Sequence, residues 1–155
     1  MGEGKMVDST GNQLELSAQN LEGLLQRYKD GEDMAVELAL FLVRLAVNGF
    51  ECIVLTRDKS VTDPSLCCAE DENGDRYVVA FSSLEKFQAC DSLYPIITTI
   101  KDLIHFINEN KKVNGIFMNW KSNESVILDR KFLWILHLAI EQYDLNEKKN
   151  TEIVD

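Results

Sequence analysis

Residues Leu66–Phe81 read LCCAEDENGDRYVVAF. Two adjacent cysteines precede a stretch, Glu70 to Asp75, in which four of six residues are acidic. The segment can be a metal site, a redox site or the bend of a β-hairpin. Asn73-Gly74 sits between two β-prone runs, SLCCAED and RYVVAFS, and is the strongest short-range hairpin signal. A type I′ turn needs positive φ at both central residues, which this dipeptide tolerates. A two-residue loop sets Glu72 opposite Asp75, Asp71 opposite Arg76, Glu70 opposite Tyr77 and Cys68 opposite Val79. The carboxylates then alternate along an exposed ribbon tip. Cys67 and Cys68 point to opposite faces, so they cannot share one ion. An EF-hand loop wants an acidic residue five before its glycine, and Ala69 stands there. The stretch is read as a turn between two strands.

Working outward, Ser17 is a helix N-cap, and Leu21, Leu24, Leu25 and Tyr28 form one stripe of a helix over Ala18–Tyr28. KDGED breaks it. A second helix, Met34–Asn48, is apolar almost all round, with Gly49 suited to its C′ position. FECIVLT (Phe50–Thr56) is a strand, and Asp63-Pro64 marks a break before the hairpin. After the hairpin, SSLEKFQAC (Ser82–Cys90) is expected as a short helix and Tyr94-Pro95 as a loop or short extended piece. Ile100, Leu103, Ile104 and Ile107 define an amphipathic helix over Thr99–Lys111. VNGIFMNW (Val113–Trp120) and SVIL are strands joined by the turn KSNE, and Asp129 caps a last helix. The expected fold is one α+β domain of order α-α-β-β-β-α-α-β-β-α, with an antiparallel or mixed sheet of about five strands covered by helices. It spans residues 17–145, between a flexible tail (1–16) and a polar C-terminal tail (146–155).

The 155 residues suit a single domain with a proper core, and 45% hydrophobic residues argue against global disorder. A formal charge of −10, with an isoelectric point near 4.7, disfavours nucleic acid and anionic lipid. It would attract a basic protein. The four cysteines show no CxxC spacing, and no apolar leader opens the chain. The initial Met-Gly lacks the Ser or Thr that myristoylation wants at position 6, where Met6 stands. The longest apolar run, Met34–Val47, is too short for a bilayer and carries Glu37 and Arg44. Asn123-Glu124-Ser125 is a glycosylation sequon without consequence in a cytoplasmic protein, which is the expected setting.

The residues offer no pattern for catalysis. His105 lies among polar residues of its helix, and His137 on an apolar helix; neither has HxH or HxxxH spacing for zinc. No GxSxG elbow, P-loop or GxGxxG is present. The expectation is a non-enzyme with no cofactor and no metal. Two features stand out. The last helix carries Phe132, Leu133, Trp134, Ile135, Leu136, Leu138 and Ile140, more apolar surface than one stripe can use. Trp134, Leu133 and Leu138 are therefore candidate interaction residues, with Trp134 as anchor. Asn119 and Trp120, at a strand end, are a second candidate corner, where turn chemistry is the expected role and contact with a partner or ligand the alternative.

YVVAFSSLEKFQAC, then ITTIKDLIHFINENKKVNGIFMNW, then SVILDRKFLWIL resemble the SseB N-terminal-domain family, the bacterial enhanced serine sensitivity proteins. Phe81-Ser82-Ser83 stands for the family's strand-to-turn motif, and Gly115-Ile116 with Asn119 for its strand-end motif. The resemblance runs from about Leu21 to Ile140. Trp120 replaces the family's usual proline and Ser82 its threonine, as in a divergent member. It implies an α+β fold and carries no catalytic residues over. The expected function is thus a non-enzymatic interaction module that binds a protein partner or itself. The alternative is an acidic chaperone or immunity-type protein masking a basic effector, like a type III secretion chaperone. A third is a small-molecule-binding protein or enzyme with a dispersed site.

Overall fold

Helix α1 (Ala18–Lys29) starts where the Ser17 hydroxyl accepts the Asn20 N–H at 3.1 Å, and basic Arg27 and Lys29 sit in its last turn. Helix α2 (Ala35–Val47) ends before Gly49, whose φ of +76° only glycine adopts freely. The computed structural model from which these elements come describes residues 5–7, 13–56, 66–87, 94–121 and 125–153. Asp63-Pro64, Cys90 and the sequon's Asn123 lie outside them.

The chain forms one α+β domain in the expected order, except that Tyr94–Thr99 is a full strand and Ser82–Phe87 is not helical. Residues 5–7 and 13–15 first pair as an antiparallel ladder, β1 (Lys5–Val7) with β2 (Gln13–Glu15), within the segment expected to be a tail. After α1 and α2 come β3 (Glu51–Thr56), β4 (Cys68–Glu70), β5 (Arg76–Phe81) and β6 (Tyr94–Thr99). Helix α3 (Ile100–Glu109), β7 (Gly115–Met118), β8 (Val126–Asp129) and α4 (Arg130–Ile153) complete the chain. The last of these continues through most of the stretch expected to be a polar tail. The sheet order is β6-β3-β5-β7-β8, mixed because β5 and β7 are parallel. Strand β4 enters between the diverging ends of β3 and β5: Leu66 bridges Thr56, and Cys68 pairs with Val78.

Two local expectations give way. The hairpin register is Cys68↔Val78, Ala69↔Tyr77 and Glu70↔Arg76, one residue from the expected pairing. The loop has three residues, not two. Asp71 O accepts Gly74 N–H at 3.1 Å, Asp71 N–H reaches Asp75 O at 2.9 Å, and Gly74 alone has positive φ, +81°. The Asp71 carboxylate accepts the N–H groups of both Asn73 and Asp75 at 2.9 Å, so the aspartate organises the loop and a type I′ turn does not form. Secondly, Ser82–Phe87 is not a helix but successive four-residue turns, Lys86 N–H to Ser83 O and Phe87 N–H to Leu84 O. The remainder of that expected helix lies outside the described residues.

The strands place alternate residues on two unlike faces. Cys52, Val54, Val78, Ala80, Ile116, Met118, Val126 and Leu128 join one core with Leu25 of α1, Leu38, Phe41, Leu42 and Leu45 of α2, Ile104 and Ile107 of α3, and Leu133, Leu136 and Ile140 of α4. Each large side chain buried there contributes about 1.5–3 kcal/mol. The opposite face buries a smaller cluster, Ile53, Leu55, Val79 and Phe81, beneath Phe87, Trp120, Cys67 and Ala69. Strand β6 forms one edge of the sheet, with Ile97 65% exposed. Asp129 caps α4 as expected, its carboxylate accepting the Phe132 N–H at 2.9 Å.

Gly115 is fixed by packing: its φ is +153°, and a Cβ there would lie 2.1 Å from the Leu128 carbonyl oxygen on the neighbouring strand. Gly115→Ala is expected to cost roughly 3 kcal/mol, combining backbone strain with overpacking. Gly23, inside α1 with nothing within 4 Å, is the control; Gly23→Ala is expected to stabilise by about 0.5–1 kcal/mol. Urea denaturation of both variants checks the pair.

Candidate interaction surface

The two motifs that carry the family resemblance meet in space. Strands β5 and β7 run parallel from Val78↔Ile116 to Ala80↔Met118, which sets Ser82 beside Asn119. Asn119 N–H donates to Ala80 O at 2.7 Å, and its side-chain Oδ1 accepts the Ser82 N–H at 2.9 Å and lies 3.1 Å from the Ser82 hydroxyl oxygen. Glu22 of α1 completes the cluster: its Oε2 accepts the hydroxyls of Ser82 and of Ser83, the latter at 3.0 Å. Asn119 is fully buried and sits at φ +57°, a left-handed conformation that asparagine tolerates better than most residues. This cluster ties α1 to the ends of two central strands. It has no histidine, and the space nearest it, beside Ser82 and Met118, is about 20 Å³, room for one water. Its chemistry is that of a structural staple.

A different arrangement lies between α3 and α4. Thr99 caps α3 by accepting the Asp102 N–H at 3.1 Å, and Ile100, Leu103, Ile104 and Ile107 turn inward. The outward side of α3 then faces α4 across a groove of about 200 Å³ lined by Lys101, Asp102, His105, His137, Glu141 and Asp144 over a floor of Ile104 and Ile140. The His105 and His137 rings are 5.9 Å apart, and Trp134 stacks on His137 at 5.5 Å. His137 Nε2 lies 3.0 Å from Glu141, and the Lys101 ammonium 2.8 Å from Asp144. Among the described residues, no group of three or more His, Cys, Asp or Glu side chains could hold a metal ion. The arrangement is therefore an acidic-rimmed groove beside an aromatic ring.

On α4 the expected interaction residues divide. Leu133 is fully buried against the sheet, as are Leu136 and, nearly so, Ile140. It is a core residue, correcting its place on the expected surface. Trp134, Ile135 and Leu138 are 49%, 54% and 46% exposed, and Leu145 farther along is 54% exposed. Asn119 is buried and so leaves the candidate surface, and its side chain holds a turn, the role expected for it at a strand end. Trp120 is half-buried on the cluster of Ile53, Leu55, Val79 and Phe81, with the Lys121 ammonium 4.4 Å over its ring. The sequence reading missed Glu22, whose partners lie some sixty residues away. It also missed Arg130, whose guanidinium donates to the carbonyls of Asn110 and Val113 and so locks the start of α4 to the α3–β7 loop. A basic residue just after the Asp129 cap was the only local signal for the latter.

The thiols divide by burial. Burial first, and the nearby Glu51 carboxylate second, push the Cys52 thiol up to about 12, whereas Cys67 and Cys68 are half-buried at the start of β4. Tyr77 is also raised, by burial and then by Asp71, whose carboxylate accepts its hydroxyl at 3.3 Å. No family model, curated protein or solved structure matches this chain.

Two outcomes follow from this geometry. Asn119→Ala removes the acceptor for Ser82 while keeping a β-carbon at positive φ, and is expected to cost about 2–4 kcal/mol in urea. Asn119→Gly should recover roughly 1 kcal/mol of that loss by relieving the backbone. For the thiol, a folded pKa above the unfolded value means that the unfolded chain loses its proton first as pH rises. Stability is then fully present below the unfolded thiol's value of 9.0 and declines toward about 12. Iodoacetamide near neutral pH should label Cys67 and Cys68 and spare Cys52 until the protein unfolds, read by peptide mass spectrometry.

Proposed function

We propose that this chain is a non-enzymatic protein-interaction module of the SseB-like kind, a cytoplasmic bacterial protein whose docking surface is the outer side of α4. The observation that carries the reading is the exposure of Trp134, Ile135 and Leu138 on a helix whose opposite side is sealed into the core. A large aromatic exposed to about half its area, flanked by aliphatic side chains, is the composition of an interface anchor. Stability does not need that surface, because Leu133, Leu136 and Ile140 already attach the helix.

The acidic-chaperone reading is favoured by the charge of −10 together with Asp102, Glu141 and Asp144 in the groove between α3 and α4. It describes the partner's charge and does not compete for a different surface. A small-molecule site has less to rest on. Among the described residues two spaces under the helices hold about 10 and 20 Å³ and two more open grooves along α4 about 200 and 230 Å³, against roughly 300 Å³ or more for a typical ligand pocket.

Trp134→Ser combined with Leu138→Ser is expected to leave stability within about 1 kcal/mol of the parent, since both side chains are half in water. The same pair should abolish capture of a stoichiometric partner from a lysate of the source cells. Leu84→Ser, at a site 81% exposed elsewhere on the surface, should leave capture unchanged. Equal capture by all three proteins would remove α4 as the docking surface.

A further inference from the structure

We infer that the groove between α3 and α4 receives a basic amphipathic helix of the partner, its apolar side on Trp134, Leu138 and Leu145 and its lysines or arginines against Asp102, Glu141 and Asp144. This inference rests on the interaction reading and names the partner's chemistry. Positions 134, 138, 141 and 145 follow one another on a single side of α4, so the apolar stripe and the Glu141 carboxylate are presented together. From Trp134 to Leu145 the stripe advances about 17 Å, the length of a helix of roughly 11 residues. Trp134, Leu138 and Leu145 are 49%, 46% and 54% exposed, and the groove alongside them holds about 200 Å³. Apolar side chains at intervals of three, four and seven are what such a groove reads in a guest helix.

Charge decides between occupants. Among the described residues the groove lining carries three carboxylates, Asp102, Glu141 and Asp144, against the ammonium of Lys101, engaged by Asp144 at 2.8 Å; at the Leu145 end of the stripe Lys148 adds a second ammonium, so the surface keeps an excess of one carboxylate. A second copy docked about a two-fold axis through this surface would set that acidic rim against itself, in a molecule of charge −10. An acidic helix meets the same repulsion. A helix with lysine or arginine flanking its leucines covers the apolar stripe and neutralises the rim in one pose, and opposite charge speeds its encounter.

The probe is a synthetic amphipathic helix of lysine and leucine, about 18 residues long, titrated into the full chain carrying Trp120→Phe so that Trp134 alone reports. Binding in the micromolar range with a blue shift of Trp134 emission is expected, weakening about tenfold or more between low and high salt. Glu141→Lys with Asp144→Lys should weaken it at least tenfold, and Glu72→Lys at the hairpin tip less than about twofold. A glutamate-leucine helix and a scrambled lysine-leucine peptide should bind at least tenfold more weakly. Equal binding of the scrambled peptide, equal damage from Glu72→Lys, or no binding would overturn the inference. So would a concentration-dependent dimer, seen by sedimentation, that Trp134→Ser dissolves. If a lysate partner is captured through Trp134 while the lysine-leucine helix fails, the interaction module stands and its partner is of another kind. If capture is indifferent to Trp134, the docking surface itself falls.

Discussion

The parallel pairing of β5 with β7 joins the two halves of this chain. One half, β3 through β6, is antiparallel and largely built from neighbours in sequence; the other, β7-β8-α4, is a short hairpin and a helix. Among the described residues, the Val78–Ala80 pairing with Ile116–Met118 is what makes them one sheet. The pairing is secured at both ends, by Asn114 N–H on Arg76 O and by Asn119 N–H on Ala80 O, each at 2.7 Å. Gly115 lets β8 approach on the far side, and the Asn119 side chain holds the chain where it leaves β5. A parallel pair needs a long crossover, and here the crossover is β6 with α3. The groove beside α4 thus owes its second wall to the same connection.

All four major helices pack on one face of the sheet, and this sets what α4 can offer. A helix in such a layer needs a core-facing stripe and contacts with its neighbours, and α4 meets both needs with Leu133, Leu136 and Ile140 inward and the Tyr28–Phe132 ring contact at its flank. Trp134, Ile135 and Leu138 then face outward by helical geometry. The apolar character of α2 is resolved differently. Its side chains at Phe41, Leu42, Leu45 and Ala46 are buried, leaving Val36 and Leu40 exposed near its start.

The sequence made legible whatever depends on near neighbours. Ser17 and Asp129 are caps because a hydroxyl or carboxylate reaches an N–H three residues on, and Gly49 ends a helix for an equally local reason. Long-range competition hid the rest. Ser82 and Ser83 resemble a helix start, but Glu22 engages their hydroxyls and Asn119 the Ser82 N–H, and turns result. In DENGD, the Asn-Gly dipeptide and the Asp71 carboxylate specify different loops; Asp71 satisfies two N–H groups at once, and the register moves by one. Tyr94–Thr99 becomes a full strand because β3 offers it six partners. Leu133 and Trp134 are adjacent on a helix apolar all round, so only the sheet beneath could decide which is core and which is surface.

The β6 edge has its own consequence. Ile100 N–H donates to Phe50 O at 2.9 Å, and antiparallel alternation carries that parity back along the strand, so Pro95, Ile97 and Thr99 turn their backbone groups away from β3. Six uncharged residues with an exposed isoleucine would otherwise be an inviting template for another chain's strand. Pro95 has no N–H to offer, and Thr99 is already committed as the cap of α3, where the chain turns into a helix. The usable open edge shrinks to little more than Ile97. The β6 edge thereby offers little template for strand-to-strand stacking without a charged residue of its own.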